Sequence, residues 1–114
     1  MMIESDCIFC KIANGQMPAN LVAESEHCVA FWDINPRQPI HLLIVPKSHH
    51  VNVTELVNAS PDVLIDLVKL GTDLASTHST GSFRLTFNTG AEAGQSVFHV
   101  HGHITSRTPK DQVG

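Results

Sequence analysis

Apolar and polar positions along the chain repeat with two different periods, and the changes of period predict its elements. From Leu21 to Ile34 two apolar stretches flank Glu24-Ser25-Glu26, the pattern of a β-hairpin with a polar turn. Asn35-Pro36-Arg37-Gln38-Pro39 follows, and its two prolines break any ladder, so the segment is a loop. His41-Leu42-Leu43-Ile44-Val45 reads as a largely buried strand ended by Pro46. Beyond it the period becomes helical. Ser60-Pro61-Asp62 supplies an N-cap, a first-turn proline and a carboxylate at the positive end of the helix dipole. Val63, Leu64, Leu67, Val68, Leu70, Leu74 and Ala75 then recur mainly at helical spacing, and Thr77 to Gly81 ends the helix. Two further strands are predicted. Phe83 to Asn88 alternates apolar with polar, and so does Val97 to Ile104, with Phe98, Val100 and Ile104 on one face. Val97, His99, His101 and His103 share the other face. Several strands with one long helix predict an antiparallel α+β domain.

Composition narrows the class. A chain of 114 residues, 42% hydrophobic and 16% charged, is expected to form one globular domain, residues 1–114. Lys and Arg total 7 against 11 Asp and Glu, a net charge of -4, so no basic face for nucleic acid or an anionic membrane is expected. No apolar run approaches the roughly 18 residues of a membrane span. Met1 to Cys7 has neither a basic region nor an apolar run, so no secretory signal is expected. Three cysteines cannot all pair within the chain, which argues against a disulfide scaffold and for a cytoplasmic location.

The anomaly is the count of 8 histidines, more than all Lys and Arg together. On a strand, side chains at i, i+2 and i+4 point the same way, so His99, His101 and His103 are expected to form a row of imidazoles. Such a row can share a substrate, a proton network or a metal. Imidazole is a good nucleophile and proton carrier near neutral pH. A single extended strand wraps a tetrahedral ion poorly, because its i and i+4 positions lie about 13 Å apart. The row is preceded by Asn88-Thr89-Gly90-Ala91-Glu92-Ala93-Gly94-Gln95-Ser96. Glycines let a loop turn its N–H groups toward an anion, and Gln95 and Ser96 add side-chain donors, so the loop is a candidate phosphate cradle.

Gly94-Gln95-Ser96-Val97-Phe98-His99-Val100-His101-Gly102-His103 resembles the signature of the histidine-triad (HIT) family of nucleotide hydrolases and transferases. Cys7 to Ile12, Phe31 to Ile34 and His41 to Lys47 are similar to its other landmarks, in order, so the likeness spans residues 7 to about 104 and leaves 105–114 as a tail. The resemblance is to the small phosphoramidase-type branch. It implies a five-stranded antiparallel sheet with one long helix and a short N-terminal helix, and a homodimer that joins two sheets. It also implies hydrolysis of purine nucleoside 5′-phosphoramidates or related nucleotidyl conjugates, with cleavage of dinucleoside polyphosphates or nucleotide binding with weak catalysis as alternatives. His101 would form a nucleotidyl-histidine intermediate. His103, Ser96 and Gly94 would hold phosphate oxygens, and His41 would set protonation. Asn88 and Gln95 match positions that bind phosphate or leaving group, and Asp33 fits the ribose hydroxyls. Phe9, Ile12, Phe31 and Ile34 match the walls of the purine slot or pack as plain core.

Two departures carry expectations. Gly102 replaces a bulky apolar residue and Thr105 another, which is expected to thin the core face and loosen His103. The sequence ends at Gly114 without that branch's tryptophan-containing tail, so leaving-group choice is expected to differ.

Cys7-x-x-Cys10 has the spacing of half a zinc site. The resemblance to bacterial family members implies a structural Zn2+ completed by His49 and His99, with His50 as the substitute if the register is off by one. Cys28 is expected to be inert core, and His27, His50 and His78 to be surface residues.

Overall fold

Where alternation meets a partner strand the chain forms ladders, and the ladders stop where backbone donors run out. The computed structural model describes residues 6–110. In chain order the elements are α1 (Ile8–Ala13), β1 (Leu21–Glu24), β2 (Cys28–Trp32), β3 (Ile40–Pro46), α2 (Val53–Ala59), α3 (Pro61–His78), β4 (Arg84–Thr86) and β5 (Gly102–Ser106). The five strands form one antiparallel sheet in the order β1-β2-β3-β5-β4, as expected for the α+β class. No helix among the described residues is long and apolar enough to cross a membrane.

The sheet has two dissimilar faces. Ile40, Leu42 and Ile44 of β3 and Ile104 of β5 pack with Leu67, Leu74 and Ala75 of α3 in the main core. Gly71 permits this close approach: a Cβ there would stand 3.2 Å from Ile104 Cδ1. On the opposite face Val29, Phe31, Leu43 and Val45 pack against Phe9 and Ile12 of α1. Strand alternation places His41 and His103 on this second face. Leu43 lies opposite both Phe31 and His103, and His41 lies opposite Thr105.

Three expectations need correction. The strand predicted from Val97 begins only at Gly102, because β3 ends at Pro46, which has no N–H to extend the ladder. Residues 97–101 are anchored otherwise, with the Val100 N–H donating to the His50 carbonyl at 2.7 Å. Val100 still enters the main core, whereas Phe98 is 49% exposed. Secondly, α2 fills a stretch given no element by the apolar pattern; its Asn52 Oδ1 accepts from Glu55 N at 2.9 Å and Glu55 Oε1 accepts from Val51 N. Thirdly, Gly102 does not thin the core. Leu85, Leu67 and Phe87 occupy the space, and a Cβ on Gly102 would meet their carbons at 3.0, 3.2 and 3.4 Å. Ser60 stands at the start of α3 without a side-chain capping bond. Of the C-terminal tail, residues 111–114 lie outside the described residues, as do residues 1–5 at the N-terminus.

Candidate functional site

Backbone groups fix the tautomer of each central imidazole, because a carbonyl only accepts and an amide N–H only donates. His101 Nδ1 lies 2.8 Å from the His99 carbonyl, so Nδ1 carries the hydrogen and Nε2 keeps its lone pair. His41 Nδ1 accepts from the Arg37 N–H at 3.1 Å, so its hydrogen is on Nε2, 3.0 Å from His103 Nδ1. His103 therefore accepts at Nδ1 and carries its own hydrogen on Nε2. That buried Nε2 bonds to nothing among the described residues. The rings of His101 and His103 stand 4.9 Å apart. A nucleophile-grade lone pair is thus set beside an unused donor.

Burial keeps these rings neutral. It is the main cause of the lowered pKa of His101 and His41, and it drives His103 down to about 4, helped by neighbouring His101 and His41. Asp33 opposes the trend at His41, with Oδ2 3.4 Å from His41 Nε2, while its Oδ1 accepts from Asn35 N at 2.7 Å. Asp33 thus sits at the rim of the imidazole pair, where a carboxylate oxygen can also meet a sugar hydroxyl.

The loop before the triad is built differently from the expected cradle. Gly90 and Gly94 have positive φ of 88° and 92°, bracketing a single 3-10 turn from Ala91 to Ala93. The Gly94 N–H donates to the Ala91 carbonyl and is not free for phosphate. Gln95 is buried: its Oε1 accepts from Gly90 N, and its Nε2 donates to the Val51 and Val97 carbonyls at 2.7 and 3.1 Å. Gln95 therefore staples the loop rather than reaching a ligand. Ser96 is exposed, and half-buried Asn88 has its Nδ2 near Gly94.

The four candidate purine contacts separate. Phe9, Ile12 and Phe31 belong to the second core, and Ile34 is 90% exposed at the rim. Phe9 has a further position that the sequence pattern did not suggest. Its ring lies 5.0 Å from that of His101 and 6.0 Å from that of His99, so α1 backs the triad. The Arg37 backbone donor was likewise not legible, since main-chain direction in a proline-rich loop leaves no pattern in side chains.

A second cluster lies behind the triad. Cys7 Sγ, Cys10 Sγ and one nitrogen each of His49 and His99 all lie within 4.8 Å of one another. His99 Nε2 is 2.9 Å from the Pro46 carbonyl, which leaves the Nδ1 lone pair facing Cys7 Sγ at 3.2 Å and Cys10 Sγ at 3.4 Å. His49 Nδ1 lies 3.4 Å from Cys10 Sγ. Zinc bonds of usual length at tetrahedral angles would put sulfur and nitrogen roughly 3.5 Å apart, so the donor set fits that metal. The carbonyl on the far nitrogen of His99 is the usual outer support of a metal-bound imidazole. His50 points elsewhere, with Nε2 3.0 Å from Ser48 Oγ and its side chain only 12% exposed, so it is neither a substitute ligand nor a surface residue. His78 is half-buried against Trp32, ring to ring at 5.1 Å.

Residues 6–113 match the family described as scavenger mRNA decapping enzyme C-term binding. A HIT family hydrolase from Legionella pneumophila has a similar structure, with TM-score 0.84 and 36% identity over 89% of this chain and 92% of that one. A zinc-bound histidine triad family protein from Mycobacterium smegmatis superposes with TM-score 0.78 at 29% identity, covering 96% of this chain and 80% of that one. An adenylylsulfatase of Arabidopsis thaliana is 37% identical over 111 residues, 96% of this chain and 56% of that protein. The imidazole triad leading into β5 of the five-stranded sheet and these likenesses agree: the chain belongs to the histidine-triad family of hydrolases.

Proposed function

We propose that the protein hydrolyses purine nucleoside 5′-phosphoramidates or related nucleotidyl conjugates through a nucleotidyl-histidine intermediate on His101. The observation that carries this reading is the paired tautomers, a free lone pair on His101 Nε2 beside an unused N–H on His103 Nε2. His101 Nε2 attacks the α-phosphorus as the bond to the leaving group breaks, the departing amine taking up a proton from solvent; water later cleaves the phosphorus–nitrogen bond of the intermediate and returns a proton to solvent. Two displacements replace one difficult step. The His103 N–H donates to a phosphate oxygen as charge builds there; a donor of this kind contributes about 10²–10³-fold to a rate. His41 holds His103 in that tautomer. In this reading exposed Ser96 is a second donor, half-buried Asn88 next to Gly94 supports the loop, and Asp33 at the rim of the imidazole pair accepts from the ribose hydroxyls.

The same reading takes in a Zn2+ ion held by Cys7, Cys10, His49 and His99, which when bound supplies a structural cross-link and no chemistry. It also takes in a homodimer joined sheet to sheet. The test is intact-mass spectrometry after rapid mixing with adenosine 5′-phosphoramidate. The protein acquires one adenylyl group, and His101→Ala binds AMP without acquiring it or turning over. Hydrolysis by His101→Ala at the normal rate would overturn the mechanism.

A further inference from the structure

Between Asp33 and Ile40 the loop has few backbone donors, because Pro36 and Pro39 carry no N–H. Two of those present are spent on side chains next to the sheet: the Asn35 N–H goes to Asp33 Oδ1 at 2.7 Å, and the Arg37 N–H to His41 Nδ1 at 3.1 Å. A third bond, from the Asp33 N–H to the His41 carbonyl at 3.0 Å, pins the same histidine by its main chain. His41 is 3% exposed, so its ring nitrogens are shut off from water. From Arg37 the hydrogens run one way. The peptide N–H points to His41 Nδ1, the His41 Nε2–H to His103 Nδ1 at 3.0 Å, and the His103 Nε2–H outward with no acceptor among the described residues. Asp33, His41 and His103 also bring three metal-ligating atoms within 4.8 Å of one another. The hydrogen on His41 Nε2 occupies the position a cation would need, so these three groups form a hydrogen-bond chain instead.

We infer that the main-chain N–H of Arg37 is a positioning group for the hydrolysis proposed above, because it sets the direction of the chain and keeps a hydrogen on His103 Nε2 where the phosphoryl oxygen arrives. The inference rests on that reading and deepens it. Reversing the His41 tautomer would set its Nδ1–H against the Arg37 N–H, donor facing donor. His41 Nε2 would then present a lone pair, His103 would give it the Nδ1–H, and the His103 Nε2 lone pair would face the phosphate. One peptide hydrogen therefore decides between attraction and repulsion at the reacting group. A peptide N–H donates a hydrogen bond without releasing its proton, so the chain ends in a group that does not titrate. His103 acts as a dipole aligned before reaction rather than as a proton relay. An amine leaving group accordingly takes its proton from solvent. The cationic Arg37 side chain works in the same sense, opposing protonation of both His41 and His103. That side chain is exposed, and the positioning bond belongs to the main chain.

The test compares the wild type with Arg37→Ala, which keeps the N–H, and with Arg37→Pro, which deletes it. The same deletion is made without a ring by an α-hydroxy acid in place of Arg37, an ester that preserves the shape of the chain. Ring hydrogens are located by nitrogen NMR of histidine-labelled protein without substrate. The wild type and Arg37→Ala are expected to carry Nε2–H on His41 and His103 and Nδ1–H on His101. In the ester variant His41 populates its Nδ1–H form, and kcat with adenosine 5′-phosphoramidate falls about tenfold or more. His103→Ala, which removes the whole donor, sets the larger limit of about 10²–10³-fold. The loss in the ester variant falls on kcat rather than on the Kd of AMP, because the donor meets charge that builds in the transition state. Nδ1–H on His41 of the wild type overturns the inference, and so does a wild-type kcat in the ester variant. Arg37→Ala matching the ester variant in both tautomer and kcat also overturns it, since the effect would then belong to the guanidinium. The two readings fail separately. If His101 of the wild type gains no adenylyl group, the hydrolysis reading fails; if it gains one and the ester variant turns over normally, only the role of the Arg37 N–H fails.

Discussion

A neutral His103 is a condition of the arrangement, because a protonated ring could not accept from His41 at Nδ1. His41, His101, Asp33 and Arg37 face it, and all but Asp33 push against the charged form. Its folded pKa near 4 lies below the ordinary value of 6.5, and that of His41 is lowered as well. Between those pH values the unfolded chain binds protons that the folded chain refuses, so stability falls as pH drops from about 6.5 toward 4. Thermal midpoints measured across that window are expected to decline, and His103→Gln, which cannot titrate, is expected to decline less steeply. A variant with the wild-type slope would place the titration elsewhere.

At the scale of elements, a glycine in the catalytic strand has been matched by its neighbours. Gly102 lies under Leu85 of β4 and Leu67 of α3, whose methyl groups stand where its side chain would be. Gly102→Val is therefore expected to overpack the core and cost about 1–3 kcal/mol. Combining it with Leu85→Ala is expected to cost less than the sum of the two changes, as coupled neighbours do. Urea denaturation of the four proteins in this cycle measures the coupling, and strict additivity would show that Leu85 is not the residue that fills the space. The same elements show what the pattern of the chain could reveal. The Glu24–Glu26 turn, the apolar run of β3 and the helical spacing of α3 were legible because burial on one face imposes a period. Residues 97–101 alternate as a strand does, yet they carry no ladder, since alternation reports side-chain direction and says nothing of Pro46 across the way. The missed α2 had a signal, Asn52 followed three residues later by Glu55. Asn52→Ala should cost that helix about 1 kcal/mol. For the site, types and spacing identified the triad and the cysteine pair. They could not show that the Gly94 and Gln95 donors are used within their own loop, nor that His49 rather than His50 turns toward the cysteines.

Across the whole molecule the Cys/His cluster joins three distant parts of the chain: α1, the segment after β3 and the segment before β5. A helix of six residues has little stability of its own, so α1 depends on Phe9 and Ile12 in the second core and on this tie. Phe9 in turn backs His101. If the cluster holds zinc as proposed, removing the ion with a strong chelator releases α1 and loosens the wall behind the nucleophile. The expected outcome is a fall in Tm of about 10 °C or more, restored by added zinc. Alkylation adds a readout independent of activity. Cys28 is buried and its thiol is pushed up to about 12, mainly by burial, so it should stay unlabelled while the core is intact. Cys7 and Cys10 should be protected with zinc bound and labelled after chelation. Labelling of both at the same rate with and without chelator, together with an unchanged Tm, would leave the four residues as a packed thiol–imidazole cluster with no metal to hold.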